Sequence, residues 1–383
     1  MSNNYLFDKT YLPLKLMNNK RLFVNKKRLE VLKEELEDFL NNNRYMINKK
    51  FSEQILFSQE IKTNNEIEGY NDDVKIINEI IKDEKNKEIT SLERRRRIVN
   101  LYRGYKYILG TPNITKDNLK KLYKILSKGL LAKEEEQRMG NYYRLDPVYI
   151  YHSLNIIAKP DEGIKSELID EYMNRLLNYL NENTGEKTHT DYYIKSQIAH
   201  FYFIYIHPYY DVNGRTARTT SMWYLLNNKA YPYLIFNRAI VLDKNKYYRV
   251  IRDVIKFHNM TYFLNYMLEN VKVELEKEHI INSIESSINY SLTILERQTL
   301  HYILTMKSLK TVCDFTVYYN RHNDKKKVRE VYQEMIEPLL DKNVIIKDRD
   351  TKKNMFDDTK NFVYKINEKY VDNNPVLIKR LKL

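Results

Sequence analysis

Glycine and proline are scarce in this chain, and their scarcity limits the folds that are open to it. The 383 residues contain eight of each, and no Ser/Gly-rich linker is present. A chain with so few turn residues is expected to be mostly helical, with short connections. Leu and Ile recur at helical spacing between charges in residues 26–62 and 73–109. The sequence therefore predicts a helical N-terminal region.

The spacing of the glycines also excludes two common ways of holding a phosphate group. Proteins usually bind phosphate with backbone amides at a helix N-terminus, often after a glycine-rich loop. No two glycines here are closer than six residues, as in Gly104 and Gly110. Neither G-x-G-x-x-G nor G-x-x-x-x-G-K-[ST] can therefore be written anywhere in the chain. A phosphate site in this protein must be of another kind.

The net charge is +14, from 65 Lys and Arg against 51 Asp and Glu. A basic surface of this size attracts polyanions such as nucleic acid, nucleotides or acidic partners. Lys, Asn, Ile and Tyr are all abundant, including 34 Tyr, and a general compositional bias explains much of that without a binding role. Both interpretations stay open.

Three features bear on location. The N-terminal residues lack the charged segment and apolar run of a secretory signal. The longest run without Asp, Glu, Lys or Arg is Ser196–Tyr210, shorter than the roughly 20 residues of a spanning helix. The single cysteine, Cys313, cannot form an intramolecular disulfide. We expect a cytoplasmic protein without a membrane segment.

The middle of the chain changes character twice. Residues Tyr149 to Ile157 alternate as a short β-hairpin would. A buried helix that ends before Pro208 is then predicted. Its apolar residues recur at i, i+4, i+7 and i+11: Ile194, Ile198, Phe201 and Tyr205.

The last ninety residues form a separate pattern. Helical spacing in 295–306 and 328–340 leads to apolar stretches at 344–346 and 362–364, with a charged loop between them. Helices followed by a two-stranded wing suggest a winged-helix module. The predicted organisation is an N-terminal helical region at 1–110, a core at 111–275, a connecting helix at 276–290 and a winged-helix-like domain at 291–383.

One loop has the residues for phosphate chemistry. Asp211–Arg215 lies between two periodic helices, so its amides can form an anion nest at the start of the second helix. Arg215 and Arg218 project from the same side of that helix. Cations are unfavourable at a helix N-terminus, so a pair of them there suggests a bound anion. His207 ends the preceding helix, where a general base would face the loop. The other histidines His152, His189 and His200 lack this setting and are interpreted as structural.

The segment from His207 to Arg218 resembles the Fic family signature H-x-F-x-[DE]-G-N-G-R-x-x-R. Six of its eight fixed positions are present: His207, Asp211, Asn213, Gly214, Arg215 and Arg218. Tyr209 replaces Phe and keeps an aromatic anchor. Val212 replaces the first Gly, although a β-branched residue rarely takes positive φ. The resemblance implies a mainly α fold, the Fic helical fold with a short β-hairpin flap, extended here by the C-terminal winged-helix (α+β) domain.

The resemblance also implies a reaction, the transfer of AMP from ATP to a protein hydroxyl. His207 would take the proton from a Ser, Thr or Tyr, and Asp211 would bind Mg²⁺ across the α- and β-phosphates. The α-phosphate would be held by Asn213 and by the amides around Gly214. Arg215 and Arg218 would neutralise the β- and γ-phosphates. The predicted hairpin corresponds to the family's flap, onto which a target segment adds as a strand.

A second motif resembles the inhibitory helix of Fic proteins, [ST]-x-x-x-E-[GN]. Asn64–Gly69 fits it with Asn64 in place of Ser or Thr, so Asn64 is expected to cap the helix or hydrogen-bond locally. Glu68 would pair with Arg218 and block the γ-phosphate, as in the N-terminally inhibited class. An ordinary helix end, with Gly69 as its left-handed residue, is the alternative.

Three functions stay open at this point. The favoured one is protein AMPylation regulated by Glu68. The others are removal of AMP or transfer of another phosphate-containing group, and DNA-binding regulation with a vestigial Fic domain. The implied partners are ATP, a protein substrate that could be the protein itself, and DNA at the C-terminal domain through Lys325–Lys327 and Lys352–Lys353. Monomer and homodimer both stay open.

Overall fold

A computed structural model describes residues 9–43, 53–82, 92–150, 161–183, 185–230, 236–288, 291–306, 311–349 and 362–370. These residues are mainly helical, as the sequence predicts. Their strands form three two-stranded antiparallel sheets. Within the same residues, no helix is both long enough and apolar enough to cross a membrane.

The helices of the first 272 residues include the two that carry the candidate site. They are α1 Lys26–Asn42, α2 Glu53–Ile67, α3 Val74–Lys82, α4 Leu92–Leu109, α5 Lys116–Ser127, α6 Lys133–Arg138, α7 Ile169–Asn181, α8 His189–Ile206, α9 Asn213–Asn227, α10 Phe236–Val241, α11 Lys244–Phe257 and α12 Thr261–Ser287, which extends beyond residue 272.

The remaining helices and the strands are shorter. The helices are α13 Ile294–Thr305, α14 Val312–His322, α15 Val328–Val331 and α16 Glu337–Asp341, with a π-helical turn at Tyr332–Ile336. The strands are β1 Lys9–Lys15, β2 Arg21–Asn25, β3 Tyr149–Ile150, β4 Asp161–Glu162, β5 Ile345–Arg349 and β6 Phe362–Ile366.

The chain divides into two compact units. The first consists of residues 1–68 and 79–272, and the second of residues 69–78 and 273–383. The short segment 69–78 thus belongs with the C-terminal residues, which nothing in the sequence indicated. The sequence-based boundaries at 110, 275 and 290 stay predictions.

The first unit is built around α8 and α9. A capping box begins α8, because Thr188 accepts from the Asp191 amide and the Asp191 carboxylate accepts from the Thr188 amide. Ser221 on α9 donates to the Ser196 carbonyl on α8 at 3.1 Å, which joins the two helices at their centre. Both helices are apolar or buried on most sides, so they form the core of the unit.

The predicted hairpin falls partly outside the described residues. Strands β3 and β4 pair antiparallel, with Tyr149 opposite Glu162. The tip, residues 151–160, lies outside them, and with it His152. The first strand begins where the sequence predicts the hairpin, whereas the second lies beyond the predicted end at Ile157.

The second unit has its own apolar core. Helices α13 and α14, the π-helical turn and strands β5 and β6 supply it, with Leu300, Phe315, Ile336 and Tyr364 among its buried residues. Capping boxes at Thr293 and Thr311 begin α13 and α14. The predicted helices and paired strands are thus observed, and residues 350–361 between the strands lie outside the described chain. The winged-helix assignment stays a prediction.

Candidate active site

The loop between α8 and α9 is bounded by two residues in the left-handed region. His207 ends α8 with φ 51°, and Val212 precedes α9 with φ 64°. Such a conformation costs a non-glycine residue roughly 1–2 kcal/mol. Val212 therefore adopts the positive φ that its β-branched side chain disfavours. It is held there because Thr216 donates its amide and hydroxyl to the Val212 carbonyl at 3.0 and 2.8 Å.

Asn213 closes this loop with its side chain. Its Oδ1 accepts from the Tyr209 amide at 3.0 Å, and its Nδ2 donates to the Tyr209 carbonyl at 2.8 Å. The side chain is 2% exposed. Both polar atoms bond the loop backbone, and one Nδ2 donor remains, so the placement of Asn213 at the α-phosphate stays a prediction. Asn213 shapes the loop, and the amides remain to meet an anion.

Tyr209 anchors the loop through its buried ring, as expected for the aromatic position of the signature. Its ring is buried and stacks on Tyr123 at 3.5 Å with an interplanar angle of 6°. Tyr143 and Phe203 lie 6.1 and 6.2 Å away. This aromatic cluster stabilises the fixed position of the loop through burial and ring contacts.

Arg144, which the sequence did not single out, connects the hairpin base to His207. Its guanidinium donates to three backbone carbonyls: His207 at 2.8 Å, Asp146 at 2.7 Å and Ile164 at 2.5 Å. Its own amide donates to the Pro208 carbonyl at 3.0 Å. Arg144 is 1% exposed, and burial lowers its pKa below the usual value. The backbone of the candidate base is thus fixed by a buried cation.

Arg215 and Asp211 form the open side of the site. The Arg215 side chain is 7% exposed, while that of Asp211 is 56% exposed, and their nearest charged atoms are 4.0 Å apart. Among the described residues, Arg215 Nε has no hydrogen-bond partner. Asp211 also accepts from the Val212 amide at 2.6 Å. A buried guanidinium with unused donors next to helix-terminal amides favours binding of an anion.

Arg218 lies in the opposite situation, since residues of α2 and the position after it occupy its guanidinium. Asn64 Oδ1 accepts from its Nε at 2.9 Å and from one terminal nitrogen at 2.8 Å. The same nitrogen makes a short ion pair with Glu68. Asn64 is therefore not limited to local hydrogen bonds, because it also contacts Arg218 and Tyr105. The predicted pair of Glu68 with Arg218 is present.

The charge of Glu68 depends on the cations around it. Burial alone would raise the pKa of its carboxyl, but Arg218, Arg215 and Lys244 together hold the pKa below its usual value. Lys244 also donates to the Ile67 carbonyl at 2.7 Å, at the end of α2. Glu68 is therefore charged at neutral pH, and its backbone is held by the same lysine.

The ion pair of Glu68 with Arg218 lies against Gly214, where no side chain occupies the space. A Cβ at Gly214 would lie 2.6 Å from the Glu68 carboxylate and 3.0 Å from the Arg218 guanidinium. Both distances are shorter than an ordinary van der Waals contact. Glycine therefore permits the close approach of these two side chains, and any other residue here would displace them.

His200 shows why a histidine near the site need not act as a base. It is fully buried on α8, and its Nε2 lies 2.8 Å from the Tyr247 hydroxyl. Burial, with Arg218 as the second cause, lowers its pKa to about 3. A ring that is fully buried and has so low a pKa is a poor base at physiological pH. His207, by contrast, is half-buried and lies at the loop.

Comparisons with known proteins agree with this arrangement. Residues 113–225 match the Fic/DOC family. A Fic family protein from Desulfovibrio desulfuricans G20 shares the fold with a TM-score of 0.54 and 16% identity, over 89% of this chain and 96% of that one. Fic-1 (residues 134–508) from C. elegans has a TM-score of 0.50 and 14% identity, over 69% of this chain and 76% of that one.

The matched residues include α5, α8, the loop and nearly all of α9, so the sequence match falls on the site described above. The chain therefore contains a Fic/DOC family domain with the Fic fold. Members of this family typically transfer AMP or other nucleotidyl groups to proteins.

Proposed function

We propose that this protein is a protein adenylyltransferase that transfers AMP from ATP to a hydroxyl of a target protein and is inhibited by its own Glu68. One observation carries the proposal: the protein's own carboxylate pairs with Arg218 at the start of α9, one turn from the open Arg215. The site therefore accepts an anion, and the protein supplies one. A nucleoside triphosphate would be the competing anion, because transfer of nucleotidyl groups is typical of this family.

His207 supplies the acid–base step. The target hydroxyl oxygen attacks the α-phosphorus, a new P–O bond forms, and the bond to the β-phosphate oxygen breaks. Pyrophosphate leaves, and His207 accepts the hydroxyl proton. The Arg144 hydrogen bond to the His207 carbonyl fixes the backbone from which the imidazole projects. A fixed base near the attacking oxygen is what such a transfer requires.

The phosphates would be held by backbone amides and two arginines. The first turn of α9, around Gly214, offers amides with the positive end of the helix dipole. Arg215 and Arg218 would bind the β- and γ-phosphates, where negative charge accumulates on the leaving group.

Asp211 fits a magnesium ion as a single protein ligand. Within the described residues, no group of three or more His, Cys, Asp or Glu could hold a metal alone. Mg²⁺ is commonly bound by one or two carboxylates together with substrate phosphates, and Asp211 is an exposed carboxylate beside the loop amides. When bound, the ion would neutralise phosphate charge.

Inhibition follows from competition for Arg218. While Glu68 occupies its guanidinium, a γ-phosphate loses this partner and meets a carboxylate of like charge. ATP then binds with its α-phosphorus out of line with the attacking oxygen. Because Glu68 is charged at neutral pH, the inhibition operates under physiological conditions.

The test is transfer of label from [α-³²P]ATP with Mg²⁺ in Glu68→Gly, measured on the protein itself and on a cell lysate. We expect incorporation to rise by about one to several orders of magnitude, as restored alignment of a few kcal/mol would give. Glu66→Gly is the matched control, because Glu66 lies in the last turn of α2 and pairs with Lys62.

Equal incorporation in Glu68→Gly and wild type, with both active, would refute the inhibitory role. Absence of incorporation in every variant would refute adenylyl transfer. Incorporation that appears with labelled GTP or CTP and not with ATP would keep the transferase and change its nucleotide.

A second function, DNA binding, is proposed for the second unit because paired strands follow its helices and basic residues lie near. Lys325 and Lys327 are exposed, whereas Lys326 pairs with Glu334. Lys352–Lys353 lie outside the described residues. Fluorescence anisotropy with duplex DNA should show binding that weakens steeply with salt. Binding of equal strength in Lys325→Glu/Lys327→Glu would remove these residues from the interface.

A further inference from the structure

The residues that follow Glu68 belong to a different compact unit from Glu68 itself. Glu68 is the last residue of its segment in the first unit, and Gly69 begins the segment 69–78 of the second. The inhibitory residue is therefore joined by one peptide bond to the C-terminal unit. No sequence motif indicated this connection.

Within the second unit, Asp73 is one residue through which this segment is held. Asp73 is 3% exposed, and its carboxylate accepts a short hydrogen bond from the hydroxyl of Tyr319, a fully buried residue of α14. The Asp73 amide donates to the Asp324 carboxylate at 3.2 Å. The other carboxylate oxygen accepts from the Lys75 amide at 2.8 Å and begins α3. A buried carboxylate with these partners fixes the backbone of the segment.

Gly69 lies between Glu68 and the hydrogen bonds of Asp73. It has φ 91°, and a Cβ at this position would have open space around it. A glycine has fewer steric limits on its dihedral angles than other residues, so it can change them at little cost. The position of Glu68 then depends on the contacts of the chain on either side of it. Among them are Lys244 on the Ile67 carbonyl before it and the Asp73 hydrogen bonds after it.

We propose that the C-terminal unit regulates the inhibitory Glu68 through the segment Gly69–Asn78, with the Tyr319–Asp73 hydrogen bond as the controlling contact. The proposal rests on the proposed function of the site. A ligand of the second unit that displaces α14 weakens the hold, and Glu68 then leaves Arg218 more often. The partner is thus any molecule whose binding shifts Tyr319, and the response is a rise in transfer.

The direction follows from chain entropy. With the segment held, Glu68 is confined near Arg218, and little freedom is lost when the ion pair forms. With the segment released, the same pair must order Gly69 and its neighbours each time it forms. Release therefore weakens inhibition without altering Arg218, Arg215 or His207.

Tyr319→Phe in the full-length chain tests this, with Tyr302→Phe as the matched control. Tyr302 is a buried tyrosine of the same unit whose hydroxyl accepts from Gln298 and Asn323. We expect Tyr319→Phe to raise transfer about three- to tenfold, the effect of losing one hydrogen bond. Tyr302→Phe should leave transfer unchanged. In a Glu68→Gly background, Tyr319→Phe should add nothing.

Amide hydrogen exchange of residues 60–68 gives a readout that does not need activity. Exchange should be faster in Tyr319→Phe than in wild type or Tyr302→Phe. If Tyr319→Phe does not fold, Asp73→Asn replaces it, since Asn retains the helix cap and loses the charge.

The outcomes separate this proposal from the proposed function. An active Glu68→Gly with unchanged transfer in Tyr319→Phe overturns the regulation, whatever the exchange shows. If Glu68→Gly shows no transfer, adenylyl transfer fails and exchange decides: faster exchange in Tyr319→Phe alone supports the coupling, and unchanged exchange overturns it.

Discussion

The middle and the end of α2 place two glutamates in opposite environments. Glu60 is 1% exposed, accepts from Asn237 at 2.7 Å, and burial raises its pKa to about 8 although Arg238 and Asn237 act against it. Glu68, just past the helix end, is 30% exposed and its pKa is lowered by three cations that outweigh its burial.

The difference shows that the surroundings, and not the residue type, decide which carboxylate is charged at neutral pH. Glu60 is neutral at pH 7, so it contributes hydrogen bonds and no field at the site. Glu68 is charged and compensates the charge of Arg218. Asn64 lies midway between them and contacts the same arginine. Thus α2 carries a neutral acid at Glu60, and the residue after the helix is a charged acid that pairs with Arg218.

Removing the candidate base, His207, should abolish the effect of Glu68 on transfer. In His207→Ala, transfer should fall by about 10²–10⁴-fold, and Glu68→Gly should no longer raise it. ATP binding, measured by isothermal titration in the Glu68→Gly background, should persist, because His207 acts on the hydroxyl. His189→Ala, at the start of the same helix, should remain active. Equal turnover in His207→Ala would exclude His207 from the mechanism.

Removing the cation should cancel the gain from losing the charged glutamate. Arg218→Ala in a Glu68→Gly background should return transfer to near the wild-type rate, a loss of one to several orders of magnitude relative to Glu68→Gly. The released arginine is the group that aligns the γ-phosphate. Arg252→Ala, an exposed arginine on α11, is the control for lost positive charge. Full activity in the double variant would mean that Glu68 inhibits by some other contact.

The neutral glutamate should appear in the pH dependence of stability. Glu60 has a folded pKa of about 8 against an unfolded value of 4.5, so its stability contribution is complete below pH 4.5 and is lost as pH rises through 8. Glu60→Gln should flatten this decline by up to about 1.4 kcal/mol per pH unit within the window. Urea unfolding at pH 5, 6.5 and 8 measures it. Parallel curves for both proteins would show that Glu60 ionises normally.

The smallest change should come from Lys244, which supports Glu68 without touching Arg218. Lys244→Met removes the hydrogen bond to the Ile67 carbonyl and one of the three cations, so transfer should rise about three- to tenfold. The rise should vanish in Glu68→Gly. Lys246→Met, whose lysine pairs with Glu269 at 3.7 Å, should have no effect. A rise that persists in Glu68→Gly would place Lys244 at the nucleotide instead.

Much of the fold and the core of the site could be predicted because they depend on local pattern. Apolar periodicity located α8 and its end before Pro208, and the spacing from His207 to Arg218 located the loop. The pair of Glu68 with Arg218 was predicted from a second motif. The first two follow from residues close together in the sequence, whereas the pair of Glu68 with Arg218, 150 positions apart, was implied only by the resemblance to the family's inhibitory motif.

The remainder depends on tertiary contacts that no local pattern contains. Arg144 follows the glycine-containing stretch Gly140-Asn-Tyr-Tyr and looks like any surface arginine until three carbonyls surround it. The two hydrogen bonds of Asn213 to the Tyr209 backbone are a structural role that the motif did not indicate. The raised pKa of Glu60 follows from complete burial, which periodicity alone does not measure. Charged groups are the hardest to place from sequence, because their partners lie far away in the chain.

Because Gly214 has no side chain, the substitutions that are tolerated at positions 214 and 68 depend on each other. A single added carbon there would lie 2.6 Å from the glutamate carboxylate and 3.0 Å from the arginine guanidinium, so a larger residue at 214 would displace these side chains while position 68 keeps its acid. In a homologue without the acid, a side chain at position 214 would no longer meet the glutamate but would still meet the arginine. On the proposed function, loss of the acid at position 68 would therefore raise transfer alone, whereas a change at 214 would disturb both inhibition and phosphate binding.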